Sequence, residues 1–365
     1  MERTLGIVST PYHLIVFLFL KESILKDHQV DLVVTDKTAS MAEACHNGQF
    51  DSFFHKVYFA DATKIANPYK SAMTTFLESM IYNPTTKTFL DKKLDVYDHV
   101  YFASPGMPDE IVKELAKTLI LKNRRVTFHR FEDGFASYTK PPLHIVNTAA
   151  GQRMYEKLLH YNVCQKENEL YMFEPYLAEQ NVTETDFQLI RIERDETLIQ
   201  KVIMRMKELL HFSPAPAPGK VLFLGQGTAN GAGNIETYRG LIAEIGEHVG
   251  YDNFLIKPHP RGVNDDFGDR FKVYRDSCPF ELALANGDFE DKILISYYST
   301  ACASGSILFG SKAKVIFLYP MAEDSFNEKC DYEDYFKKLT ELYDTIHIAH
   351  NREELWALLE EINTF

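Results

Sequence analysis

Apolar and polar positions along this chain group into strand-like and helix-like runs that follow one another in turn. Thr4–Ser9 reads as a strand, followed by an apolar segment to about Leu25. Val30–Thr35 is the next strand and Thr38–Asn47 the next helix. Lys56–Ala60, His99–Ser104, a helix over Asp109–Leu121 and the strand Arg125–Phe131 continue the rhythm. Alternating strands and helices predict a mostly parallel sheet covered on both faces. The stretch from Tyr138 to Phe187 carries no clear period.

The rhythm breaks at Phe212–Lys220, FSPAPAPGK, where three prolines and a glycine within nine residues stop any helix. It then restarts with strands at Val221–Leu224, Phe254–Lys257, Phe271–Tyr274, Ile293–Ser296 and Lys314–Leu318. Helices are predicted at Ile235–His248, Pro279–Asn286 and Thr300–Phe309. The expected architecture is α/β, with Rossmann-like domains over residues 1–211 and 212–350. A last helix in residues 351–365 gathers Leu355, Trp356, Leu358 and Leu359 at helical spacing and is free to pack back across the first domain.

Composition narrows the class. The chain has 365 residues, 45% hydrophobic, 25% charged and 13% aromatic, which excludes collagen-like, low-complexity and disordered proteins. Its formal charge, 39 − 52 = −13, is opposite in sign to the footprint of a nucleic-acid binder, so no nucleic-acid partner is expected. Any anionic ligand must then be held by a local site. Cys45, Cys164, Cys278, Cys302 and Cys330 are spread widely without a C-x-x-C pair, which reads as free, mostly buried thiols in a reducing compartment. The apolar run Leu14–Leu20 imitates a targeting signal, but Thr10, Pro11, Tyr12 and His13 interrupt it and no cleavage site follows. No stretch nears the roughly 18 apolar residues of a membrane span. A cytoplasmic protein is expected, with peripheral contact at the cytoplasmic face of the inner membrane left open.

Ligands of open α/β sheets bind beyond the carboxyl ends of the strands, so polar residues placed there carry the chemistry. After Arg125–Phe131 comes Glu132-Asp133-Gly134, a pair of carboxylates at a sharp turn, suited to a general base or, more plainly, to a solvated helix cap. After Phe254–Lys257 comes Pro258-His259-Pro260-Arg261. Here the prolines fix a histidine between Lys257 and Arg261, a cationic patch suited to phosphate. Tyr297-Tyr298-Ser299-Thr300 opens a helix whose N-terminus can cradle a phosphate or simply use a hydroxyl as cap. Gly225-Gln226-Gly227 begins a glycine-rich loop that is neither a Walker A sequence nor a clean G-x-G-x-x-G. Ser9-Thr10-Pro11-Tyr12-His13 follows the first strand, and Glu281 sits in the first turn after Pro279, where a carboxylate can accept ribose hydroxyls. No spacing suggests a metal-ligand cluster.

Taken in order, FEDG, KPHPR, PFE and YYST resemble the signatures of the bacterial sialyltransferases of glycosyltransferase family 52 and the related capsule polysialyltransferases. The resemblance implies the GT-B fold, two Rossmann-like doubly wound domains facing a central cleft. It also implies inverting, metal-independent transfer of sialic acid from CMP-sialic acid to a hydroxyl of a galactoside or sialoside in lipooligosaccharide or capsule. On that likeness Glu132 is the general base, with Asp133 as the alternative, and His259 protonates the departing phosphate oxygen. Ser299 and Thr300 hold the phosphate and Glu281 the ribose, with Lys257, Pro260 and Arg261 in the donor site. Gly225, Gln226 and Gly227 line the donor site; apart from the likeness, Thr10, Pro11, Tyr12 and Gly134 are candidates for the acceptor side or the cleft, with capping of the first helix the plainer reading of the first three. The partners implied are a CMP-sugar and a glycan, with an oligomer compatible and no cofactor. Three rivals remain: a polyol phosphate transferase using CDP-glycerol, a UDP-sugar epimerase, and a non-catalytic nucleotide- or glycan-binding protein. The first is disfavoured by the acidic charge and the lack of a basic amphipathic helix. Tyr138, Tyr155, Tyr161 and Tyr171 either stack on an acceptor sugar or belong to the core.

Overall fold

The computed structural model describes residues 1–62, 90–103, 110–183, 185–212, 217–225, 235–259, 270–276, 278–285, 289–321 and 332–360. The chain divides into two compact units, Met1–His211 and Phe212–Phe365.

The first unit is built on strands β1 (Arg3–Val8), β2 (Gln29–Thr35), β3 (Val57–Ala60), β4 (His99–Ala103), β5 (Thr127–Phe131), β6 (Glu169–Met172) and β7 (Gln188–Arg191). They lie in the order β3-β2-β1-β4-β5-β6-β7, and every neighbouring pair is parallel. The second unit contains β8 (Val221–Leu224), β9 (Phe254–Lys257), β10 (Lys272–Val273), β11 (Ile293–Ser296), β12 (Lys314–Phe317) and β13 (Ile346–Ile348), ordered β10-β9-β8-β11-β12-β13 and again all parallel. Both sheets are doubly wound. The strand order reverses between β1 and β4 in one and between β8 and β11 in the other, and such switch points are where ligands of this fold class bind.

The apolar run near the start is a core helix, Pro11–Glu22, buried from His13 to Leu20. Pro11 suits its first turn, and Thr10, in extended conformation, accepts the His13 amide through Oγ1 at 3.2 Å. One face presses on β1, where a Cβ at Gly6 would stand 2.2 Å from Phe17 Cζ. The helix Glu196–Leu210 packs alongside, with Lys201 Nζ 2.6 Å from Glu22 Oε2. A helix covered on several sides has no solvent face to fill, which explains why it lacks amphipathic alternation.

Several elements depart from the sequence reading. Residues 138–187 hold β6 and a series of short helices, among them Ala149–Met154 and Val163–Lys166. Tyr138, Tyr155, Tyr161 and Tyr171 are all buried, so these rings are core and not a sugar-stacking surface. The last helix, Arg352–Glu360, packs on the core of the second unit. Leu355 and Leu359 share a core with Val221, Ile293 and Ile316, Trp356 stacks on His248 at 4.7 Å, and Arg352 Nε meets Glu244 Oε2 at 2.6 Å. Its apolar face is spent on its own sheet. Cys45 and Cys164 are half-buried while Cys278 and Cys302 are buried, all four as free thiols; Cys330 lies outside the described residues. Among the described residues no helix is long and apolar enough to cross a membrane.

Candidate functional site

In the first unit the motifs after β1 and β5 interlock. β5 and β1 flank β4, so their carboxyl ends lie one strand apart. The Glu132 amide still bonds the Tyr171 carbonyl at 3.0 Å, extending the β5–β6 ladder by one residue. Its carboxylate is wholly buried: Oε1 accepts from the Tyr12 hydroxyl, and Oε2 accepts from the Tyr138 hydroxyl and, at 2.9 Å, from the Phe173 amide. Burial pushes its pKa up to about 7, against the pull of those donors and of Arg194.

Asp133 is placed differently. Its side chain keeps 26% exposure and pairs with Nε2 of His13. Nδ1 of His13 accepts the Ser9 amide at 3.2 Å, so the ring proton is assigned to Nε2, which donates to the carboxylate. The Asp133 amide donates to Ser137 Oγ at 2.7 Å, tightening the turn. Gly134 permits that turn through φ 73° and ψ −144°, a conformation essentially confined to glycine. Thus Tyr12 and His13, adjacent at the start of one helix, hold the adjacent residues Glu132 and Asp133. Thr10 and Pro11 build the turn that aims them.

In the second unit the candidate residues gather at the ends of β8, β9 and β11. Gly225 donates its amide to the Lys257 carbonyl at 2.9 Å, and Ser296 Oγ donates to the Leu224 carbonyl at 3.0 Å. The Lys257 ammonium lies 5.3 Å from the centre of the Phe280 ring. Burial holds its pKa below the ordinary range, against the attraction of Glu281, Asp276 and Cys302. Burial likewise raises Glu281, opposed by its own amide and by Lys257, and raises the Cys302 thiol beside the same lysine. His259 follows Lys257 by two residues and is half-buried.

Thr300 precedes the helix Ala301–Phe309 without capping it: its backbone is helical, and its side chain makes no cap hydrogen bond. The Ser299 amide bonds Ser296 Oγ at 3.1 Å, while the Ser299 and Thr300 hydroxyls have no protein partner among the described residues. Two uncommitted hydroxyls at the N-terminus of a nine-residue helix, whose Cys302 interacts with the half-buried Lys257 ammonium, are groups of the kind that accept negative charge. Pro260, Arg261, Gln226 and Gly227 lie outside the described residues.

The sequence analysis assigned no role to His13 or Ser137, and offered Tyr138 only for sugar stacking or the core. For His13 a signal existed: a Tyr-His pair after the first strand, opposite an acidic pair two strands along a doubly wound sheet.

No family model matches the chain, and no curated protein matches it. Solved structures do. A UDP-N-acetylglucosamine 2-epimerase is similar at 11% identity, with 99% of this chain and 86% of that chain covered and a TM-score of 0.50. The Neisseria meningitidis UDP-GlcNAc 2-epimerase bound to UDP-GlcNAc reaches 12% identity and TM-score 0.48 over 100% of both chains. A spinosyn rhamnosyltransferase gives 10% identity and TM-score 0.48 over 100% of this chain and 90% of that one. At 11% identity the likeness at TM-score 0.50 shows the fold alone, the GT-B class of two Rossmann-like domains.

Proposed function

We propose that this protein is a glycosyltransferase that moves a sugar from a nucleotide-sugar donor to an acceptor hydroxyl, and that the donor is CMP-sialic acid. The observation that carries the reading is the interlocked Tyr12–Glu132 and His13–Asp133 arrangement, which leaves one carboxylate sealed and its neighbour open to a substrate. A general base must reach the proton it removes. Both oxygens of Glu132 are occupied by donors and closed to solvent, so the base is Asp133 and Glu132 is a positioning residue.

The acceptor oxygen attacks the anomeric carbon, Asp133 takes its proton, and the bond from that carbon to the phosphate oxygen breaks with inversion. Lys257, Ser299, Thr300 and the helix N-terminus receive the charge that develops on the phosphate, and His259 supplies a proton to the departing oxygen. These groups suffice without a metal in the transfer step. Glu281, beside Lys257, binds the ribose. The CMP donor is favoured by the motif set FEDG, KPHPR, PFE and YYST.

Ligand-dependent melting tests the donor, because a ligand bound only by the native state raises Tm. Stabilisation by CMP and CMP-sialic acid alone supports the reading. Stabilisation by CDP-glycerol or UDP-N-acetylglucosamine instead replaces the donor and the reaction. Binding of CMP-sialic acid without turnover on any galactoside or sialoside acceptor indicates a binding protein.

A further inference from the structure

A second cluster of reactive side chains lies in the first unit, among residues 138–187. A ring nitrogen of His144, the thiol of Cys164 and a carboxylate oxygen of Asp186 all lie within 4.8 Å of one another. His144 Nε2 faces Asp186 Oδ1 at 2.8 Å, and its ring is stacked on Phe187 with centroids 4.7 Å apart, which fixes the ring plane.

The other ring nitrogen sets this group apart from a surface His–Asp pair. His144 Nδ1 is buried without a hydrogen-bond partner among the described residues, yet it points towards Glu167 Oε2 at 3.6 Å. Glu167 is itself fixed, accepting from Arg130 Nε at 2.9 Å and from the Ile145 amide at 2.8 Å. A carboxylate held behind one imidazole nitrogen and a second carboxylate on the other, with a thiol within 4.8 Å of the group, is the outer and inner arrangement of a histidine that binds a metal. Burial, and after it the negative charge of Asp186, Glu167 and Glu156, raises the Cys164 pKa.

We propose that His144 Nε2, Cys164 Sγ and Asp186 Oδ1 bind a zinc ion, with Glu167 receiving the His144 Nδ1 proton and a water completing the coordination. One nitrogen, one sulfur and one oxygen donor suit zinc, whose tetrahedral bonds of about 2.0 to 2.3 Å set neighbouring ligand atoms roughly 3.3 to 3.7 Å apart, so the His144–Asp186 pair opens slightly while the thiol adjusts to meet it. On binding, the Cys164 proton is released to solvent. The ion ties together the segment after Thr139, the short helix Val163–Lys166 and the turn before β7, which have few long elements to hold them. Its role is to fix this part of the fold, separate from the transfer step.

The test is titration of the chelator-treated full chain with cobalt(II), then zinc. Expected is one equivalent of cobalt with a thiolate-to-metal charge-transfer band, displaced by zinc, together with a zinc-dependent rise in Tm. Cys164→Ser and His144→Ala should abolish the band. A wild-type protein that gives no such band, or a band that persists in Cys164→Ser, overturns the proposal. Should the variants fail to fold by circular dichroism, alkylation of Cys164 mapped by mass spectrometry decides. Zinc should slow it at least about tenfold, as expected when a ligand thiolate is engaged, and an unchanged rate refutes the site.

Discussion

Replacing Glu132 with glutamine tests whether this carboxylate is the sealed group described above. Its pKa is raised from the ordinary 4.5 to about 7 because the charged form is denied water. The native state therefore binds this proton more tightly than the unfolded chain. Below about pH 4.5 both states are protonated and the site costs nothing. As pH rises the unfolded chain ionises first, so stability falls until the native carboxyl ionises near pH 7. The full penalty is about 3 kcal/mol, of which about 2.5 kcal/mol develops between about pH 5 and about pH 8. Glu132→Gln has no proton to lose, and its amide oxygen can still accept from Phe173, so whatever fixed cost it carries is independent of pH. Urea unfolding of both proteins across that range should show the variant gaining about 2 to 3 kcal/mol relative to the wild type. A difference that stays constant with pH would mean that Glu132 ionises as an exposed carboxylate does, and would restore it as a candidate base.

The remaining predictions concern the proposed reaction and the turns that build it. Asp133→Asn should fold normally yet lose about 100-fold or more in kcat, with Glu132→Gln less affected, as measured by initial rates of sialyl transfer; equal losses would refute the assignment of the base. His259→Ala should lose turnover by a similar factor while CMP still raises its Tm, and a normal rate would remove it from the mechanism. Gly134→Ala should cost on the order of 1 to 3 kcal/mol by urea unfolding, since its φ of 73° is strained for alanine, although the nearest atoms to the new Cβ, those of Tyr12, begin at an ordinary 3.6 Å.

Much of the architecture was legible because strands buried on both faces leave continuous apolar runs, and the linker announces itself through its prolines. β7, β13 and the helices Glu196–Leu210 and Glu333–Leu342 were not read. β13 has only three residues, and β7 is partly exposed, so neither leaves a long apolar run. Which sheet the carboxyl-terminal helix covers was not legible, because an apolar stripe states that it must be covered, not by what. At the candidate site, the motif positions were legible as strand ends. Their pairing was not, since Tyr12 and His13 meet Glu132 and Asp133 across 120 residues of sequence. The His144, Cys164 and Asp186 cluster escaped for the same reason: its members are about twenty residues apart and converge only through folding.

The two acidic residues also explain why a Glu-Asp pair suits the end of a buried strand. Successive side chains leave a strand on opposite sides, so extending the β5 ladder through Glu132 sends its carboxylate inward and turns Asp133 the other way. One carboxylate must then be sealed, and the donors of Tyr12, Tyr138 and Phe173 make that tolerable. Those same contacts tie the helix Pro11–Glu22 to the end of β5, and His13, one residue along, is thereby delivered to Asp133. The buried member of the pair thus fixes the histidine that orients the accessible one. This predicts that Tyr12→Phe, which removes a hydroxyl from Glu132 and leaves Asp133 and His13 unsubstituted, should lower kcat more than KM. Tyr138→Phe, on the other oxygen and away from that helix, should reduce stability by about 1 to 3 kcal/mol with little change in rate. Equal kinetic effects of the two variants would show that Glu132 does not act through the helix.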